Sequence, residues 1–128
     1  MKTIAIIGAS ADRSKFGNKA VRAFVRQGFT VYPVNPKEAE IEDLPAFKSI
    51  AEVPVRPNLI SVYLPPPVLL KVLPDIAARG CNELWLNPGT ESDEVLAAAE
   101  RLFRAGPPPR FGLWLLQTRS RSPEMPSE

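Results

Sequence analysis

Hydrophobic positions along the chain fall in short unbroken runs, separated by stretches in which they recur every three or four residues. Thr3-Ile4-Ala5-Ile6-Ile7 is a continuous apolar run, the pattern of a strand buried on both faces of a parallel sheet. Gly8-Ala9-Ser10 ends it, and Gly17 to Gln27 reads as a helix with Val21, Phe24 and Val25 on one side and Gly28 as its cap. Phe29 to Val34 is a second strand, stopped by Asn35-Pro36. Residues 37–57 are less regular: Ser49 to Val53 fits one helical turn, and the remainder reads as a charged, solvated loop. Leu59 to Leu64 is a third strand, halted by Pro65-Pro66-Pro67. Val68 to Arg79 then has Leu69, Leu70, Leu73, Ile76 and Ala77 at inward helical spacing, with Pro74 expected to kink or split the helix. Gly80 caps it, and Glu83 to Asn87 is a fourth strand with Trp85 in the core. Thr90-Glu91-Ser92-Asp93 resembles a capping box ahead of a helix from Val95 to Arg104. Phe111 to Gln117 is a candidate fifth strand, and residues 118–128 are expected to be a disordered tail.

Strands alternating with helices at this spacing predict right-handed βαβ crossovers and an α/β fold. The expectation is a single Rossmann-like domain over residues 1–117, with a parallel sheet of about five strands and helices on both faces. The expected strand order is 3-2-1-4-5, which puts ligand chemistry at the carboxyl ends of strands 1 and 4, where the winding reverses.

Composition narrows the function. A formal net charge of +2 on 128 residues lacks the basic excess of a duplex binder, so no nucleic-acid partner is expected. There is no histidine and one cysteine, Cys81, which excludes Cys-His proteases, Ser-His-Asp hydrolases and an intrachain disulfide. The first apolar run is too short for a signal peptide or a membrane span, so a soluble cytoplasmic protein without a membrane partner is expected. Proline, at 15 residues, clusters where strands end and stiffens the loops at one edge of the sheet.

The turn after the first strand, Gly8-Ala9-Ser10-Ala11-Asp12-Arg13-Ser14-Lys15-Phe16-Gly17, carries the chemistry. Small residues admit a ligand to the backbone, and the helix that follows offers unpaired N–H groups and a positive dipole end to a phosphate. Ser10 supplies a hydroxyl, and Arg13 and Lys15 supply charge. The dinucleotide fingerprint G-x-G-x-x-G is absent, since positions 10 and 13 are Ser and Arg. The second strand ends in Val34-Asn35-Pro36-Lys37, where NAD binders place a carboxylate for the ribose. A lysine there suits a ribose phosphate, as in coenzyme A or NADP.

Ile4-Ala5-Ile6-Ile7-Gly8-Ala9-Ser10 together with Gly28-Phe29-Thr30-Val31-Tyr32-Pro33-Val34-Asn35-Pro36 resembles the CoA-binding domain family. That family includes small stand-alone proteins and is similar to the nucleotide-binding domain of the succinyl-CoA synthetase α subunit. The resemblance continues through Leu64-Pro65-Pro66 and Trp85-Leu86-Asn87-Pro88-Gly89 and covers roughly residues 1–106. It implies a diphosphate lined by Gly8, Ala9 and Ser10 with Arg13 or Lys15 beside it. It also implies adenosine and its 3′-phosphate flanked by Val34, Asn35, Pro36 and Lys37, Leu64 and Pro65 along the ligand, and Asn87 and Gly89 near the thiol end. From Gly106 the sequence departs from the family pattern, with three prolines ahead of the candidate fifth strand; a change of reading frame near Ala105 is one account of it.

The synthetase relatives use a phosphorylated histidine, which this chain lacks, so their ligase reaction does not transfer. No nucleophile–base pair is legible: Asp12 fits a cap, Tyr63 core or ligand packing, and Cys81 a structural thiol. The expected function is binding of coenzyme A or an acyl-CoA without catalysis, and no metal is expected. The alternative is a small NADP-linked oxidoreductase or a partner-dependent enzyme subunit. A homodimer or a protein partner fits so small a sheet with two open edges.

Overall fold

The computed structural model describes residues 2–87 and 89–103, together with the backbone strand at residues 110–111. Five parallel strands form the main sheet: β1 (Thr3–Ile7), β2 (Thr30–Val34), β5 (Leu59–Val62), β6 (Glu83–Leu86) and β7 (Arg110–Phe111). Between β2 and β5 lie a two-stranded hairpin, β3 (Glu40–Ile41) and β4 (Leu44–Pro45), and a single 3-10 turn at Ile50–Glu52. The helices are α1 (Phe16–Arg26), α2 (Pro66–Arg79) and α3 (Asp93–Leu102).

The β1 sequence has no polar face because both its faces are covered. Ile4 and Ile6 pack with Ala20, Val21 and Phe24 of α1, whereas Ala5 and Ile7 pack on the opposite face with Leu69, Leu73 and Ile76 of α2. Val95, Ala98 and Ala99 of α3 join the second face. Leu69, Leu73 and Ile76 are wholly buried, and each such side chain contributes roughly 2 kcal/mol of transfer free energy. The α/β class, the parallel sheet and helices on both faces are therefore as the periodicity implied.

The strand order is not as expected. It runs β2-β1-β5-β6-β7, so the third long strand lies beside β1 and not outside β2. Pro33 supplies the physical reason. Its carbonyl points away from β1, accepting the Phe47 N–H at 2.9 Å, so its missing N–H also lies on the outer side, and a proline there suits an edge. Residue Phe47 occupies that edge in a parallel bridge to Val34. The winding therefore reverses between β1 and β5.

Several local expectations change as well. Residues 37–57 contain the β3–β4 hairpin, whose two-residue turn places Glu42 and Asp43 at φ 51 and 66. Val25 is exposed on α1, and Leu70 and Ala77 of α2 are half-buried. Helix α2 starts at Pro66, where its fixed φ suits the first turn, and continues through the exposed Pro74 without splitting. Ser92, not Thr90, caps α3, accepting the Val95 N–H at 3.1 Å; with valine at that position no reciprocal capping box forms. Trp85 is half-buried and donates to Glu83 at 2.9 Å. The expected fifth strand is met only by Arg110–Phe111; residues 112–117 and the tail 118–128 lie outside the described residues.

Candidate functional site

The turn after β1 is built from backbone that has no room for side chains. Gly8 adopts φ +91, and a Cβ on it would sit 2.5 Å from the Tyr63 carbonyl oxygen. A Cβ on Gly17 would collide with the Gly8 carbonyl oxygen, so the opening of α1 lies directly against the turn. Three hydrogen bonds hold consecutive residues of that turn. The Gly8 N–H donates to Val34 at 3.1 Å, Asn35 Nδ2 donates to the Ala9 carbonyl at 2.8 Å, and Asn18 Nδ2 donates to the Ser10 carbonyl at 2.8 Å. The last two tie up carbonyl oxygens that would otherwise repel an incoming anion.

Helix α1 begins after Lys15 with no side-chain cap and no acidic residue in its first turn, which leaves its positive end available to an anion. Asp12 does not cap it. Its carboxylate accepts from the Ser14 hydroxyl at 2.7 Å and the Ser14 N–H at 3.0 Å, and these bonds, assisted by Lys15, hold its pKa below the ordinary value.

Asn18 is fully buried and belongs to a network absent from the sequence reading. Its Nδ2 also donates to Glu42 at 3.0 Å, and its oxygen accepts from Arg22 Nε at 2.7 Å. Arg22 reaches the Arg13 carbonyl at 2.9 Å, and Arg13 Nε pairs with Glu42 at 3.3 Å. The tip of the β3–β4 hairpin is thereby fastened to the turn.

A cleft of about 490 Å³ opens between this turn, the end of β2, the end of β5 and helix α2. Gly8, Ala9, Ser10 and Lys15 border it on one side, Val34, Asn35 and Pro36 on another, and Leu64 at the end of β5. These are sequence-derived site residues brought together. Others stand apart from the lining: Arg13 pairs with Glu42, Lys37 is exposed with its N–H on Asn35 Oδ1, and Pro65 is the exposed residue before α2. Asn87 is buried, donating to Ser61 Oγ and the Val62 carbonyl at 2.8 Å each, while its Oδ1 has no partner among the described residues. Gly89, at φ +93, is exposed and also outside the lining.

The sequence reading missed Lys48, Ser49 and Ile50, which border the cleft after β4, and Val68, Val72 and Asp75 of α2. The α2 residues recur at helical spacing on one side and carried a legible signal. The segment 48–50 did not, because only the hairpin brings it back to β2. Tyr63, read as core or ligand packing, borders the cleft. Cys81 is buried in the core, and that burial pushes its thiol up to about 12. Among the described residues no group of three His, Cys, Asp or Glu could hold a metal, and no helix is long and apolar enough to cross a membrane.

Residues 2–118 match the model of a CoA binding domain family. The match extends past Ala105, so the proline-rich departure falls within the family's span. A conserved hypothetical protein from Pyrococcus furiosus superposes with a TM-score of 0.76 at 35% identity, covering 92% of this chain and 100% of that one. The ADP-forming acetate–CoA ligase II subunit alpha of Pyrococcus furiosus is 35% identical over 78 residues, which are 60% of this chain and 17% of that protein. The apo dinucleotide-forming acetyl-coenzyme A synthetase 1 of Ca. Korarchaeum cryptofilum superposes at 0.67 with 27% identity, covering 80% of this chain and 23% of that one. Among the curated relatives compared, the aligned region spans 11% to 18% of their own length.

Proposed function

The chain belongs to the CoA-binding domain family, and from that premise we propose that its cleft binds coenzyme A or an acyl-CoA, with the diphosphate on the Gly8-Ala9-Ser10 turn beside Lys15. The observation that carries this reading is the cleft at the winding reversal, where uncapped α1, Lys15 and a turn with its carbonyls tied back converge. A volume of about 490 Å³ lies in the range of small-molecule sites. The residues fit such a ligand. Lys15 and Lys48 answer its phosphates, and Leu64, Val68 and Val72 offer apolar surface to its adenine or pantetheine arm.

The domain is proposed to bind without catalysing. Among the described residues the titratable side chains on the cleft are Lys15, Lys48, Tyr63 and Asp75, and the Cys81 thiol lies in the core, outside the lining. Relatives that are alpha subunits of acetate–CoA ligases support a further expectation, that a protein partner meets the bound form.

Calorimetric titration at fixed salt with CoA, and in parallel with NADP, tests the reading. Saturable heat with CoA and none with NADP is the expected result. Binding of NADP without CoA would overturn it in favour of a redox role. Incubation of the complex with acetyl-CoA and water, followed by thiol release, tests the absence of catalysis; steady turnover above the uncatalysed rate would refute it.

A further inference from the structure

We propose that Lys48, and not Lys37, recognises the phosphate on the ligand's ribose. The inference rests on the reading of the cleft as a CoA site and assigns a residue to one part of it. In doubly wound nucleotide sites the ribose lies at the end of the second strand, so the charge presented there decides which ribose is accepted. By sequence that place belongs to Lys37, three residues beyond Val34. Asn35 Oδ1 accepts the Lys37 N–H at 2.7 Å, closing an Asx turn immediately after Pro36, and Lys37 does not border the cleft.

The chain then runs through the β3–β4 hairpin and returns beside β2. Phe47 donates its N–H to the Pro33 carbonyl and accepts the Asn35 N–H, both at 2.9 Å, and its ring contacts Tyr32 at 5.8 Å between centroids. These bonds make residue 47 a surrogate continuation of the sheet and fix the backbone of Lys48 and Ser49 at the strand end. Both residues border the cleft with Asn35 and Pro36.

Charge argues the same way. Lys15 and Lys48 approach the cleft from different segments, one at the start of α1 beside the diphosphate turn and one after β4, alongside the end of β2. CoA carries its phosphates at two such separated places. Arg13, the other cation of the turn, is engaged by Glu42, whereas Lys48 is exposed and has no ion pair among the described residues. Swinging its flexible side chain onto a phosphate therefore breaks no existing pair. The α2 wall carries Asp75, a carboxylate that disfavours a phosphate there.

The experiment is titration calorimetry of the full chain with CoA and with dephospho-CoA, at one fixed salt concentration. The wild type is expected to prefer CoA by about tenfold, the worth of one charge-assisted contact. Lys48→Ala removes that preference by weakening CoA alone, Lys48→Arg retains it, and Lys37→Ala changes it less than about twofold. A Lys48→Ala protein that still prefers CoA as the wild type does would overturn the assignment, as would equal affinity of the wild type for both ligands; in either case the CoA site itself stands. A wild type that binds neither ligand removes the underlying reading and the assignment with it.

Discussion

Gly17 presses its backbone against the turn after β1. Glycine near a helix start is ordinarily a weakness, and replacing it with alanine in an open helix adds up to about 1 kcal/mol. Here the sign reverses, because the new Cβ would meet the Gly8 carbonyl oxygen and lie 3.2 Å from Ala9 Cα. Gly17→Ala is expected to lower stability by about 1–3 kcal/mol in urea titration and to weaken CoA binding with it. A neutral or more stable variant would show that α1 does not press on the turn. Cys81 sets a second expectation at this scale. Burial raises its thiol from 9.0 to about 12, a shift that Arg56 opposes and Glu83 slightly adds to. The folded state then holds its proton more tightly than the unfolded chain does. The associated stability is complete below pH 9.0 and is lost as pH rises toward 12. The stability gap between the wild type and Cys81→Ala should therefore narrow between pH 8 and pH 10.5 in urea unfolding. A constant gap would contradict a buried neutral thiol.

Among the elements, the β3–β4 hairpin does more for the site than its length suggests. Its two turn residues are both left-handed and neither is glycine, at roughly 1–2 kcal/mol each. Glu42 recovers part of that through Asn18 and Arg13, which is how the hairpin fastens the turn after β1. Asp43 is exposed at the same tip, so Asp43→Gly should stabilise the fold by about 0.5–1 kcal/mol while leaving CoA affinity unchanged. Glu42→Gly should relieve the same strain yet loosen the turn, and matched denaturation and titration of the two variants separates the effects. This hairpin also marks the limit of the sequence reading. The long elements were legible because β1, β5 and α2 have apolar patterns sustained over four residues or more. Two-residue strands carrying Glu40, Glu42 and Asp43 carry no such period, and they read as solvated loop. The edge position of β2 was present in Pro33, whose missing donor forbids a central place, but the strand order was read from winding alone. Consequently Gly8 to Ser10, Lys15 and Val34 to Pro36, candidates by their place at strand ends, and Leu64, a candidate through the family resemblance, all border the cleft, whereas Lys48 required knowing where the hairpin returns.

At the scale of the molecule, the cleft lies where two separately packed faces meet. The turn after β1 leads into α1, whose core contains Ile4, Ile6 and Phe24, while Ile50 and α2 belong to the core on the opposite face. A ligand in the cleft touches both faces, and α3 contributes no residue to it. Binding should therefore act on stability in two distinguishable ways. Every amide that exchanges only through global unfolding gains the mass-action increment, about 2.7 kcal/mol at a ligand concentration 100 times Kd. Amides near the cleft that open locally, in residues 8–15 and 47–50, should be slowed further, because the ligand bridges segments that otherwise separate without unfolding the sheet. Hydrogen exchange with and without CoA reads both quantities in one experiment. Equal slowing throughout would mean that the ligand senses only the folded state as a whole. Extra protection confined to α3 would place the ligand on the Asn87 and Gly89 side of the sheet, where Asn87 Oδ1 has no partner among the described residues. Extra protection in 8–15 and 47–50 together is the outcome expected, since only a ligand reaching from the α1 side to Lys48 orders both.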